Sequence, residues 1–280
     1  MWATRAGHHI NEDAVAVTDH ALVVIDGATG LLSAHVTGWP SDAQWFSHRL
    51  TALLAERLED PSTSVPDILR RCLHALRTEF TKMSPSPATA PEAEPSASVI
   101  IARVNGPVLE VFSLGDCQAV VEHHDGSVSV CHDRTVEELD SAVVETMCAW
   151  AREHRATNKD ARAQVTGHLL SNRRLKNTDG GYWIADLSAA GVHHGRLETF
   201  DAEAVSDLAL MTDGFTATRS LVHLFDTPAQ LIRALRTTSP ERIIDVLSAL
   251  LDADPDYATY PRLKHMDDST VIHATLRSGS

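Results

Sequence analysis

Three apolar runs of the chain each meet an aspartate where a polar segment begins or a strand is about to start: "VVIDG" at Asp26, "LALMTDG" at Asp213, and "KHMDD" at Asp267 just ahead of a strand. An Asp-Gly at a strand end is ordinarily a turn, because the carboxylate bonds nearby backbone and glycine tolerates positive φ. Three such ends in one chain point to other chemistry. Carboxylates delivered by separate strand ends converge at one end of a sheet, and converging negative charges need a hard divalent cation to hold them together. Ligands that are all oxygen favour Mg2+ or Mn2+ over Zn2+. Glu12 and Asp13 in "NEDA" add two carboxylates near Asp26 across the first hairpin, a solvated strand start being the alternative reading.

The elements that must position these acids can be read from the pattern. "DAVAVTDHALVVID" gives two short apolar runs split by polar residues, the signature of a hairpin in a buried sheet, its second strand ending on Asp26. Ser41 and Gln44 are spaced as a capping box before a helix carrying Phe46, Leu50, Leu53 and Leu54 on one face. A second amphipathic helix presents Ile68, Cys72, Leu73, Leu76 and Phe80. Residues 84–95, "SPSPATAPEAEP", read as a mobile connector. "SASVIIARV", "VLEVFSLGD", "CQAVVEHH" and "SVSVCHD" then form an antiparallel meander, the last two joined by Asp125-Gly126.

Thr135 and Glu138 suggest a further capping box, and residues 156–180, polar and basic, read as a loop or flap reaching on toward 195. Strands return at "GGYWIAD", "GRLETF" and "DLALMTD", two helices open at Thr227-Pro228 and Ser239-Pro240, and "DDSTVIHATL" closes the chain. Strands in two blocks with helices between and after them predict a single α+β domain over residues 1–280, with largely antiparallel sheets flanked by helices.

Composition narrows the function. The 280-residue chain is 43% apolar with a formal charge of −14 and no basic stripe, which disfavours nucleic acid as a partner. Cys72, Cys117, Cys131 and Cys148 are far apart, with no C-x-x-C pair, and fit packed thiols in a reducing compartment. With no leader-like start and no bilayer-length apolar run, the expectation is a cytoplasmic monomer without membrane contact. The chain holds no P-loop, G-x-S-x-G elbow or G-x-G-x-x-G fingerprint, and none of its 16 histidines has zincin spacing.

"NEDA", "VVIDGATG", "SASVIIARV", "SLGDCQAVV", "LALMTDGF" and "MDDSTVI" stand in the order and approximate spacing of the motifs of the metal-dependent PPM-type serine/threonine phosphatases, the protein phosphatase 2C family. The chain resembles that family from residue 11 to 273, and "VIDGATGL" with "NTDGGYWIADL" is similar to its bacterial branch. The resemblance implies a four-layer α-β-β-α sandwich with two divalent cations, Mn2+ or Mg2+, in a cleft at one end. Asp26 would bridge both, the carbonyl of Gly27 would bind the second, and Asp213 and Asp267 would bind the first. Glu12 and Asp13 would hold metal-bound water, and Asp133 would serve a weaker third cation. A hydroxide bridging the two metals would attack phosphorus in line, with no protein nucleophile. Asp116 is expected to be a structural turn carboxylate.

The chain departs from the family pattern in three places. His8 stands where many members have a phosphate-gripping Arg, so that the grip would fall to Arg5, Arg173 or Arg174. Ala28 replaces a histidine of the eukaryotic relatives, and Ala217 stands where relatives carry an extra Asp. The expected activity is hydrolysis of phosphoserine or phosphothreonine in a protein. The alternatives are hydrolysis of a small phosphate ester, with Tyr182 and Trp183 walling the pocket, and a phospho-binding regulatory module of low activity.

Overall fold

The computed structural model describes residues 1–28, 36–83 and 94–276. Along the chain run β1 (Trp2–Arg5), β2 (Ala14–Val17), β3 (Ala21–Ala28), α1 (Asp42–Arg57), α2 (Val65–Met83), β4 (Ser96–Asn105), β5 (Val108–Leu114), β6 (Gln118–His123) and β7 (Val128–Cys131). They are followed by α3 (Thr135–His154), α4 (Asn158–Ala161), α5 (Thr166–Arg173), β8 (Ala185–Asp186), β9 (Arg196–Asp201), β10 (Val205–Met211), α6 (Asp213–Ser220), α7 (Pro228–Thr237), α8 (Pro240–Asp252) and β11 (Ser269–Thr275).

The strands form two antiparallel sheets. One is ordered β2-β3-β4-β5-β9, with β8 also on β4, and the other β1-β11-β10-β6-β7. Because successive side chains in a strand point to opposite faces, each strand feeds two layers. Val24, Ile100, Ala102 and Val111 of the first sheet meet Ala119, Val121, Leu208, Leu210 and Ile272 of the second. The alternate residues Val23, Ile25, Val99 and Ile101 pack under α1 and α2, through Phe46, Leu50, Leu54, Leu69 and Leu73. Val120, Ala209, Met211 and Val271 pack under α7 and α8. Each such buried aliphatic or aromatic side chain contributes about 1.5–3 kcal/mol. The expected α-β-β-α sandwich is the fold observed.

Local signals held in part. Thr227 caps α7 in a full capping box with Gln230, and Ser239 caps α8, each ahead of a proline. Ser41 accepts from the Gln44 amide as expected, but the Gln44 side chain donates to the Asn11 carbonyl, so the box is half formed and α1 is instead tied to the segment carrying Glu12. The Thr135–Glu138 box is absent, because the Thr135 hydroxyl donates to Asp133 and Thr135 lies inside the helix. Of the 156–180 segment, residues 158–173 are helical and 174–180 run through turns. It winds through α4, a 3-10 turn and α5, and Ala161 and Val165 pack on Val143, Met147 and Ala151 of α3. β1 has no sequence signature and exists by pairing with β11. The expected connector at 84–95 lies outside the described residues apart from its last two. No helix among the described residues is long and apolar enough to cross a membrane.

Candidate metal and phosphate site

The acids singled out from the sequence meet where the two sheets end together. Asp26 is not in a turn: β3 runs on through Asp26, Gly27 and Ala28, paired with Ser98, Ala97 and Ser96 of β4. Gly27 is required by the crossing of the chain segment before β2, since a Cβ there would stand 2.5 Å from the Glu12 carbonyl oxygen. From the other sheet, β10 ends at Met211, Thr212 is the N-cap and Asp213 opens α6, where the helix N-terminus favours a carboxylate. Gly214 lets that turn close against β11's lead-in, a Cβ there lying 2.0 Å from the Asp268 carbonyl oxygen.

Thr212 ties the two sides together. Its hydroxyl donates to Asp13 at 3.1 Å and accepts from the Thr270 amide at 3.0 Å. Asp268, the second acid of "MDDST", was not singled out from sequence. It accepts from the Gly7 amide at 2.8 Å and the Glu12 amide at 2.6 Å, clamping residues 7–12 beside Asp267. Its signal was present, as two adjacent acids before a strand, but only the first was read as a ligand.

Asp26, Glu12, Gly27, Asp213 and Asp267 line one cavity of about 320 Å3. Asp13 lies behind that wall, 2% exposed. Burial, and then the neighbouring Asp213, Asp13 and Asp116, push Asp26 well above the carboxylate range. Burial and Asp268 raise Asp13 likewise, and burial with Asp267 pushes Asp213 up to about 8.

Several expectations are corrected by position. Asp116 accepts from the Ser98 hydroxyl rather than from backbone, and it lines the cavity instead of serving only a turn. Asp133 does not line the cavity; its Oδ1 accepts from the amide and hydroxyl of Thr135. The acid that α3 brings to the wall is Asp140, whose carboxyl is raised by burial and by Asp116. Arg5 is ion-paired to Asp245 of α8 at 2.5 Å, and neither it nor the exposed His8 is on the cavity wall. The cations on the wall are Arg162, Arg173 and Lys264.

Arg173, at the end of α5, sits beside the Tyr182 hydroxyl. Lys264 is ion-paired to Asp267, and its side chain is 57% exposed. Burial opposes its charge, but Asp267, Asp213 and Asp26 hold it well above the ordinary lysine range. Tyr182 forms part of the wall as expected, whereas Trp183 packs on the helix-covered core and stacks on His194. All four cysteines are free thiols, Cys148 alone being partly exposed.

The cluster suits a hard cation by its chemistry. Every candidate ligand is oxygen, and Asp13 Oδ1 and Asp213 Oδ1 are buried with no hydrogen-bond partner, a state that costs free energy unless a cation or proton answers it. Among the described residues no three acidic, histidine or cysteine side chains already stand at coordination spacing, so the acids surround a space rather than form a closed cage.

Comparison with known proteins bears on the whole chain. Residues 4–252 match the family described as Protein phosphatase 2C. No curated protein matches the chain. Among solved structures it is similar to the serine/threonine phosphatase PstP/Ppp of Mycobacterium tuberculosis, at 18% identity and a TM-score of 0.55, covering 99% of this chain and 98% of that one. It is also similar to the serine/threonine phosphatase Stp1 of Staphylococcus aureus, at 16% identity and a TM-score of 0.52, over 100% and 94%. A PstP catalytic domain in complex with two manganese ions matches at 17% identity and a TM-score of 0.53, over 99% and 98%. With the sandwich, the converging acids and the match over residues 4–252 taken together, the chain belongs to the protein phosphatase 2C family.

Proposed function

We propose that the chain is a metal-dependent phosphatase of phosphoserine and phosphothreonine in proteins, using two Mn2+ or Mg2+ ions. The observation that carries this reading is the convergence of Asp26, Asp213 and Asp267, from both sheets, on one cavity, with buried unanswered oxygens on Asp13 and Asp213. Asp26 and the Gly27 carbonyl would hold cations from β3, and Asp213 and Asp267 from the opposite sheet, while Glu12 and Asp13 would order water around them. When bound, such cations polarise the phosphoryl oxygens and acidify water for attack on phosphorus.

The chain's own residues do the rest. Of the arginines expected to grip the phosphate, Arg173 does so, since it is on the wall and Arg5, Arg174 and His8 are not. Lys264 offsets the charge of Asp267. The clamp of Asp268 on the Gly7 and Glu12 amides fixes the segment that carries Glu12 and Asp13. A grip by Arg173 removes the motive for reading the chain as an inactive binding module, which rested on His8.

Hydrolysis of p-nitrophenyl phosphate, a phosphothreonine peptide and a panel of small phosphate esters, each with and without Mn2+, tests the proposal. Mn2+-dependent turnover lost in Asp26→Ala and Asp213→Ala is expected, with peptides preferred over small esters. Turnover that survives both substitutions or EDTA would overturn it.

A further inference from the structure

Beside the carboxylate cavity lies a second one of about 410 Å3, and the two share the wall formed by Asp116, Asp140, Asp213, Lys264 and Asp267. Away from that wall its lining is mixed: Val144 of α3, Leu221 after α6, Leu247 and Leu251 of α8, and Met266 give it an apolar side, and Gln118, Glu137, Ser141, Glu145 and Arg219 a polar one. Two of its lining residues each keep a buried polar atom with no protein partner: Gln118 Oε1 and Arg219 Nε. Gln118 is 2% exposed, so its unanswered carbonyl is a feature that calls for a ligand or water.

We infer that this cavity is a subsite for the polypeptide flanking the phosphorylated residue, taking an apolar side chain two or three positions away. The inference rests on the protein phosphatase reading above. Consecutive residues of an extended chain advance only about 3.3–3.6 Å each. A phosphoserine or phosphothreonine placed on the acids therefore carries its neighbours into the adjoining space, and the shared wall makes this cavity that space. The unanswered Gln118 acceptor and Arg219 donor lie just under the lining, the pair of functions that a peptide N–H and C=O complement once these side chains turn toward the cavity. Glu137 and Glu145 on the α3 side make acidic flanks unfavourable. A small phosphate ester has nothing to place there.

Two variants test the subsite without touching the acids. Ser141→Trp, at an exposed position of α3 on the cavity lining, fills the space. Gln118→Leu removes the acceptor at nearly constant volume. With Mn2+, each is expected to lower kcat/KM about tenfold for a phosphothreonine peptide bearing leucine near the phosphorylated residue, on the scale of a lost side-chain pocket. Turnover of p-nitrophenyl phosphate is expected to stay within about twofold of wild type. Replacing that leucine by glycine is expected to lower wild-type kcat/KM similarly and to leave Ser141→Trp indifferent. Equal effects on both substrates, or none on either, would overturn the subsite while leaving the phosphatase reading intact. No Mn2+-dependent turnover of either substrate by wild type would overturn both.

Discussion

Asp26, near the end of β3 in the sheet under α1 and α2, and Asp213, which opens α6 after β10 of the sheet under α7 and α8, line the same cavity. Burial and the charge of Asp213 raise the proton affinity of Asp26, and burial and the charge of Asp267 raise that of Asp213. Each sheet supplies one of them, so the site depends on how the sandwich is assembled rather than on either half.

Neutralising one of the pair is expected to separate stability from activity. Asp213→Asn removes a buried repulsive charge and is expected to stabilise the metal-stripped protein by roughly 1 kcal/mol or more, as relief of functional-site strain often does. It should lower Mn2+-dependent kcat/KM at least ~100-fold, since a cation loses a ligand worth several kcal/mol. Thermal unfolding in EDTA and phosphopeptide kinetics check the two halves. A variant both less stable and fully active would contradict the account.

The same acids make metal-free stability depend on pH with a definite sign. Asp13, Asp26 and Asp213 have folded pKa values raised above the ordinary 3.8, Asp213 to about 8. Between those limits the folded state binds more protons than the unfolded one, so stability falls as pH rises. In EDTA the Tm is expected to drop from weakly acidic pH toward about 8, with a slope of up to ~1.4 kcal/mol per pH unit for each titrating group. Saturating Mn2+ should flatten or invert the slope. A Tm that climbs with pH in EDTA would refute it.

Much of this was legible in the residues. The helix faces with Phe46, Leu50, Ile68 and Leu73 follow from period 3.6, and the two-layer use of β3 and β4 from their continuous apolar runs. Asp26 and Asp213 were found because an acid after an apolar strand is conspicuous, and Asp267 because it stands just ahead of one. What stayed hidden depends on packing. β1 is only four residues long and is defined by its partner β11. The basic stretch at 156–180 looked like a loop because its helices are short and bury few residues, Ala161 and Val165 among them. Asp140 looks like an ordinary helix-surface residue and Arg173 was one of three candidate arginines, and only the seating of α3 and α5 puts both on the cavity wall. Arg5 looked like a phosphate ligand until Asp245, far along the chain, proved to hold it.

Arg173 is expected to act on substrate affinity. A charge-assisted hydrogen bond to phosphate is worth about 1.5–3 kcal/mol, so Arg173→Ala should raise KM about 10- to 100-fold. Arg173→Lys should recover part of the loss, lacking the fork geometry. Arg5→Ala should leave KM near wild type, because its partner is Asp245. Inhibition by inorganic phosphate, measured for the three variants, checks the assignment independently of turnover. The reverse order of effects would return the grip to the N-terminal segment.

Lys264 is held where it is by more than its ion pair. The Leu263 carbonyl accepts from Arg162 Nε at 2.8 Å, and the buried Arg262 donates to Asp254, to the His265, Tyr260 and Leu251 carbonyls, and to the Asp254 carbonyl. The loop that presents the ammonium is therefore rigid, and its charge is a fixed component of the field around Asp267. A divalent cation drawing on the Asp267 carboxylate must share it with this ammonium, and like charges at such range oppose each other. Lys264→Met keeps the stem and removes the charge. It is expected to tighten Mn2+ binding about tenfold, roughly 1.4 kcal/mol, as measured by calorimetric titration. Lys264→Arg, which keeps the charge, should bind Mn2+ as weakly as wild type. Unchanged or weaker binding in Lys264→Met would mean that the lysine supports the geometry of Asp267 rather than competing for it.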